Sequence, residues 1–131
     1  MDRMIERIDN VGVAVADLER ALRFYGRLGF AVEEREDETP SATLSAGQAR
    51  LWVFQTGRRS ADRRDAGFAG NPTGFDHLSL WVGDVDAACA RVAGSGIELE
   101  SAPADQDWGY RAASLLDPDG NRLFLLGELR R

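Results

Sequence analysis

The stretch Gly74–Val92, GFDHLSLWVGDVDAACARV, decides how this chain folds. It holds the only histidine, His77, and one of the three tryptophans, Trp81, on a short alternating segment that runs into a helical one. Asp84 stands at the junction, where its carboxylate can accept the orphan amides of a first helical turn, and Val85, Ala88, Cys89 and Val92 then recur at helical spacing. The same arrangement lies upstream: Asp9–Ala21, DNVGVAVADLERA, aligns without a gap on Asp76–Ala88, DHLSLWVGDVDAA. The match persists along the helix, with Leu18, Ala21, Leu22 and Gly29 falling on Val85, Ala88, Cys89 and Gly96. A repeat at about half the length of the 131-residue chain means two copies of one supersecondary unit, with function expected where the copies face each other.

Each copy reads as βαβββ. In the first, Ile8–Val15 alternates as a half-buried strand, Asp17 caps a helix carrying Leu18, Ala21, Leu22 and Tyr25, and Gly29 ends it. Phe30–Arg35, Thr43–Ala46 and Arg50–Gln55 are the remaining strands, with turns at Asp37–Ser41 and Gly47. In the second, His77–Val82 is a strand, Gly94 and Gly96 close the helix, and Ile97–Ser101, Tyr110–Leu116 and Arg122–Leu126 complete the sheet. Ala102–Gly109 is a loop holding Trp108, and Asp117-Pro118-Asp119-Gly120-Asn121 is a tight hairpin turn. The organisation is one domain, 1–131, with module one at 5–56, a linker at 57–73 and module two at 74–128. The linker holds Arg58, Arg59, Arg63 and Arg64 without periodicity and reads as a solvated connection; the alternative is a lid or arginine clamp over a ligand.

Composition narrows the partners. A net charge of −6 disfavours nucleic acid and anionic membrane, which need a cationic surface. All 16 basic residues are arginine, so Schiff-base chemistry on a lysine is excluded. The single cysteine allows no intrachain disulfide and fits a reducing cytoplasm. The start, Met1-Asp2-Arg3-Met4-Ile5-Glu6-Arg7, has no signal-peptide pattern, and no apolar run is long enough to span a bilayer.

The repeated βαβββ order, the Asp76-His77-Leu78-Ser79-Leu80 strand and the terminal Asp-Pro-Asp-Gly-Asn hairpin together resemble the vicinal oxygen chelate superfamily, which includes glyoxalase I, extradiol dioxygenases and bleomycin resistance proteins. The resemblance spans Ile5 to Leu126. It implies an α+β fold in which the sheets of two tandem βαβββ modules form an open cup with helices outside. It also implies a homodimer. Metal-dependent members carry four ligands on the cup wall, at positions that correspond here to Asn10, Trp52, His77 and Phe124. An indole and a phenyl ring offer a cation no lone pair, and catalytic zinc takes about three protein donors, so no metal and no cofactor are expected. Alternation turns Asp9 and Asp76 to the opposite face, away from the cup.

The same alternation separates an aliphatic layer (Val11, Val13, Val15, Leu51, Val53, Leu78, Leu80, Val82, Leu123, Leu125) from a second face. That second face carries Asn10, Gly12, Ala14, Trp52 and Phe54 in module one, and His77, Ser79, Trp81, Phe124 and Leu126 in module two. Its aromatic rings are either inter-module core or the walls of a pocket in which Asn10, His77 and Ser79 orient a guest. Trp108, Tyr110 and Arg111 extend it, since Trp108-Gly109-Tyr110-Arg111 is similar to a Trp-Gly-x-Arg segment at the family's pocket mouth. Arg111 reads equally as a strand arginine paired with a carboxylate.

Three functions follow. The first is a metal-free, cytoplasmic small-molecule binding protein of the glyoxalase/bleomycin-resistance type that holds a flat aromatic or cationic compound, as in antibiotic resistance. The second is a metal-independent isomerase, cyclase or lyase of specialised metabolism, with His77 or Tyr110 as candidate catalytic proton carrier. The third is a divalent-metal glyoxalase or dioxygenase, which rests on the resemblance alone.

Overall fold

The computed structural model describes residues 3–60 and 62–131. Met1, Asp2 and Ala61, which belong to the N-terminal lead and the expected linker, lie outside the described residues. The chain is α+β, two tandem βαβββ modules, and divides into two compact units, Met1–Arg59 and Ser60–Arg131.

The first unit runs β1 (Val11–Val15), α1 (Leu18–Arg27), β2 (Ala31–Glu36), β3 (Ser41–Ala46) and β4 (Ala49–Gln55). Its sheet has the order β1-β4-β3-β2, with β1 parallel to β4 and the other pairs antiparallel. The helix carries the chain from β1 to β2 at the opposite edge of the sheet, and the antiparallel run β2–β3–β4 then brings β4 back beside β1. Asp17 caps α1 as its sequence position requires, its side chain accepting from Arg20 N at 3.1 Å. Such a cap contributes about 1 kcal/mol. The helix buries Leu18, Ala21, Phe24 and Tyr25 against Val13, Val15, Leu51 and Val53 of the sheet. Phe24 takes the place expected for Leu22, because Tyr25 is clasped edge-on between Phe24 and Phe30 at centroid distances of 5.1 and 5.8 Å. The strand begins at Val11 rather than Ile8, which stays exposed.

The second unit repeats the plan with β5 (Leu78–Gly83), α2 (Val85–Gly94), β6 (Ser101–Asp105), β7 (Arg111–Leu116) and β8 (Arg122–Gly127), in sheet order β5-β8-β7-β6. Asp84 caps α2 through Ala87 N, and Gly29 and Gly96, at φ +103° and +92°, end the two helices in the left-handed region that a side chain resists. Val85, Cys89 and Val92 are buried over Ala113, Leu115, Leu123 and Leu125, which share one face of the sheet. Ile97 is not the start of a strand. It is an anchor that folds back, its N–H bonding Val92 O, and its side chain is buried behind the helix end. The strand begins later and includes Pro103, which costs little because β6 is an edge whose register shifts between Ser101 and Ala104.

Two features lock this unit. Arg122 forms a two-pronged ion pair with Glu100 (Nε–Oε1 2.8 Å, Nη2–Oε2 2.7 Å), and the fully buried Ser114 hydroxyl donates to the same carboxylate at 2.8 Å. This pairing holds the Glu100 carboxyl below its ordinary value, the Arg122 hydrogen bond being the largest cause. At the far end of the sheet Gly127 of β8 lies against the Gly83 carbonyl of β5, leaving no room for a side chain.

Candidate functional site

In the first unit Trp52 stands on β4 with Gly12 of β1 and Thr43 of β3 as its register partners. The glycine leaves the ring plane of Trp52 free to stack on Phe54, at 4.8 Å between centroids and 26° between planes. Trp52 is 44% exposed although it lies in the middle of a sheet. Its polar border is Asp9, Asn10, Thr43 and Arg50, which with Trp52 line a hollow of about 140 Å³. The Asn10 amide donates to Asp9 Oδ2 at 2.9 Å, and Arg50 binds Glu33 at 2.9 Å and Asp9 at 3.6 Å. On the other side of Trp52 a wider hollow of about 480 Å³ is edged by the carboxylates Glu34 and Glu36 together with Arg35, Ser41, Ala42 and Thr43. A flat ring on Trp52 therefore meets a rim in which both charge signs are available.

In the second unit the aromatic residues fall into two groups. Trp81 meets Tyr110 edge-on at 5.9 Å, and Trp108 lies 6.1 Å from Tyr110. All three are open to solvent, at 59%, 46% and 44% for Trp81, Tyr110 and Trp108. Trp81 stands on β5, and the loop before β7 presents Trp108 and Tyr110 by closing on itself, Gln106 N bonding Tyr110 O at 2.8 Å with Gly109 at φ +102°. The other group surrounds His77. Phe124 of β8, the register partner of Ser79, packs edge-on to the imidazole at 4.6 Å and is almost wholly covered.

Three residues of this neighbourhood were not legible in the sequence. Phe68 stacks on His77 at 5.9 Å and 29°, and Asn71 and Arg64 both reach the carboxylate of Asp76, at 2.8 and 3.3 Å. All three belong to the stretch read as a solvated linker. From Arg64 onward that stretch is a built loop: Asp65 and Asn71 bond each other in both directions at 2.8 and 2.9 Å, and Arg64 also donates to the carbonyls of Pro72 and Thr73. The Arg64 side chain is 15% exposed and turned into the loop, so it does not project as a clamp. The one available signal was Phe68, a large aromatic in an otherwise polar run.

Asp76 is not turned away from His77. Its Oδ1 lies 2.7 Å from His77 Nδ1. Strict alternation holds only within a strand, and β5 begins at Leu78, after both residues. Its hydrogen bonds, His77 first, then Asn71 and Arg64, hold the Asp76 carboxyl at about 2. Arg111 points elsewhere: its guanidinium grips Asp86 of α2 through two bonds of 2.7 and 3.0 Å and Asp105 at 3.2 Å, which lowers the Asp86 carboxyl. Cys89 is buried, and that burial pushes its thiol up, away from reactivity.

The residues at the family's metal-ligand positions do not fit a metal. Asn10 offers a neutral amide already bonded to Asp9, Trp52 and Phe124 offer rings, and only His77 offers a donor of the right kind. Among the described residues no three His, Cys, Asp or Glu side chains gather in a ligating group.

A family model for the glyoxalase/bleomycin resistance protein/dioxygenase superfamily matches residues 7–125. Among solved structures the chain is similar to a superfamily member from Sphaerobacter thermophilus, at 27% identity and a TM-score of 0.72 over 96% of this chain and 100% of that one. It is also similar to a glyoxalase family protein from Enterococcus faecalis, at 25% identity and a TM-score of 0.77 over 95% and 99%. A bleomycin-binding protein solved with bleomycin shares the fold, at 24% identity and a TM-score of 0.71 over 95% and 100%. No curated protein matches the sequence. The repeated βαβββ module and the match along nearly the whole chain place this protein in the glyoxalase/bleomycin resistance protein/dioxygenase superfamily.

Proposed function

We propose that this protein is a metal-free small-molecule binding protein of the glyoxalase/bleomycin-resistance type, holding a flat aromatic or cationic compound against its tryptophans. The observation that carries the proposal is the exposure of Trp52, Trp81 and Trp108, at 44%, 59% and 44%, while Val13, Val15, Leu51, Val53, Leu123 and Leu125 on the opposite side of the sheets are buried; on β5 that aliphatic side is only half-covered, with Val82 itself exposed. A tryptophan side chain buries about 150 to 250 Å² when covered, worth several kcal/mol at about 25 cal/mol/Å². Leaving three such rings against water forgoes much of that gain, and a stacking guest recovers it. Asn10 supplies a polar group beside Trp52, Ser79 and His77 offer others in the second unit, and Glu34 and Glu36 favour a cation near Trp52. The apolar and largely exposed Met4, Ile5 and Ile8 support a second copy of the chain as partner. The single cysteine supports a cytoplasmic site of action, where capture of a toxic compound would confer resistance.

Titration with proflavine, a flat fused-ring cation, tests this. Tryptophan fluorescence is expected to fall with saturation, and proflavine is recovered unchanged. Absence of quenching by proflavine and by neutral fused-ring compounds alike would sink the proposal.

A second reading, a metal-independent isomerase, cyclase or lyase, has one observation in its favour: the 2.7 Å pairing of His77 with Asp76, which orients an imidazole as a proton acceptor. It requires that a bound compound be converted, and that His77→Ala abolish conversion without abolishing binding.

A further inference from the structure

The best-organised polar group in the second unit is the His77 ring, and it is organised by a residue and a loop that have no assigned role. Asp76 Oδ1 sits 2.7 Å from His77 Nδ1. An ionised carboxylate can only accept hydrogen bonds, so the shared proton of a neutral imidazole must be on Nδ1. Asp76 is itself held from behind by Asn71 Nδ2 at 2.8 Å and Arg64 Nη1 at 3.3 Å, and Asn71 is tied to Asp65 by its own pair of bonds. Phe68 lies over one face of the ring and Phe124 meets its edge. Turning the imidazole over about its Cβ–Cγ bond would put Cδ2 where Nδ1 now meets Asp76, and that hydrogen bond would be lost.

We infer that Asp76 is a positioning residue that fixes His77 as the Nδ1-protonated tautomer, making Nε2 a hydrogen-bond acceptor that selects guests offering an N–H or O–H donor. The tautomer stands independently, while the selection of guests rests on the ligand-binding reading above. An unconstrained imidazole in water prefers the opposite tautomer, so the assignment is a departure that can be measured.

Because His77 is the only histidine, a long-range proton–nitrogen correlation spectrum of uniformly nitrogen-15-labelled protein, at a pH where imidazole is neutral, reports one ring without assignment. The expected spectrum shows the proton on Nδ1 in the native protein. Asp76→Asn retains it, since an amide oxygen still accepts, whereas Asp76→Ala moves it toward Nε2. An Nε2-protonated ring in the native protein overturns the inference with no variant needed, and so does an Asp76→Ala spectrum identical to the native one. The acceptor role is read from proflavine affinity, expected to be about tenfold weaker in His77→Phe, which keeps a ring between Phe68 and Phe124 but removes both nitrogens. Equal affinity overturns that role. Absence of proflavine binding in the native protein counts against the ligand-binding reading, and the tautomer spectrum alone then decides the inference.

Discussion

Adding one methyl group at Gly127 should be among the most damaging small substitutions in the chain, and adding one at Gly26 should help. A Cβ built on Gly127 falls well inside contact distance of the Gly83 carbonyl oxygen, 2.8 Å from its carbonyl carbon and 2.9 Å from Val85 Cγ2. Two of those three neighbours are backbone, in a parallel pair where β5 already bulges between Trp81 and Gly83, so no side chain can simply swing away. Relief requires parting β5 from β8 by about 1 Å at the point where Val85 starts the buried face of α2. Overpacking of this kind costs about 1 to 3 kcal/mol and more where the backbone must move. At a few degrees per kcal/mol for a chain of this size, Gly127→Ala should lower Tm by about 10 °C. Gly26 is exposed in the helical segment α1, and a Cβ there meets nothing within 4 Å. Replacing it removes backbone entropy from the unfolded chain, so Gly26→Ala should stabilise by about 0.5 to 1 kcal/mol. Thermal and urea unfolding of the two variants beside the parent form the assay. A Gly127→Ala protein with unchanged Tm would refute the close approach of β5 and β8, and with it the register that aligns Ser79 with Phe124 and Trp81 with Leu126.

Other substitutions separate stability from binding. Glu100→Gln should destabilise by about 1 to 3 kcal/mol in urea unfolding, because Arg122 is left covered without its ionic partner. Arg111→Ala should cost about 1 kcal/mol or less and leave proflavine affinity unchanged, since its guanidinium serves Asp86 and Asp105. Trp52→Ala should reduce both the number of quenchable tryptophans and proflavine affinity, the latter by about tenfold, measured by fluorescence titration. Asp76 titrates at about 2 in the folded chain against an ordinary 3.8, so it favours the folded loop above about pH 4 and loses that contribution as pH falls toward 2. Amide protection across Arg64–Asp76, taken relative to the intrinsic exchange rate at each pH, should fall over that window in the parent and not in Asp76→Asn.

The fold was readable because its determinants are local and repeated. An alternating strand, a capping aspartate at Asp17 and Asp84, a helical stripe and a closing glycine occur twice in the same order, and each signals its element within a few residues. The donor set was equally plain, since no conformation gives Trp52 or Phe124 a lone pair for a cation. Reading failed where neighbours come from far along the chain. Periodicity could not say that Ile97 would be consumed by the core and delay β6, or that Arg111 would close on Asp86 of α2. Nor could it reveal that Asp76, just outside its strand, would turn to His77 while Phe68, Arg64 and Asn71 gathered behind and above it. Periodicity and capping are properties of consecutive residues and are fixed by backbone geometry. Which side chain meets which across a turn or a sheet depends on long-range packing, and only the folded chain decides it.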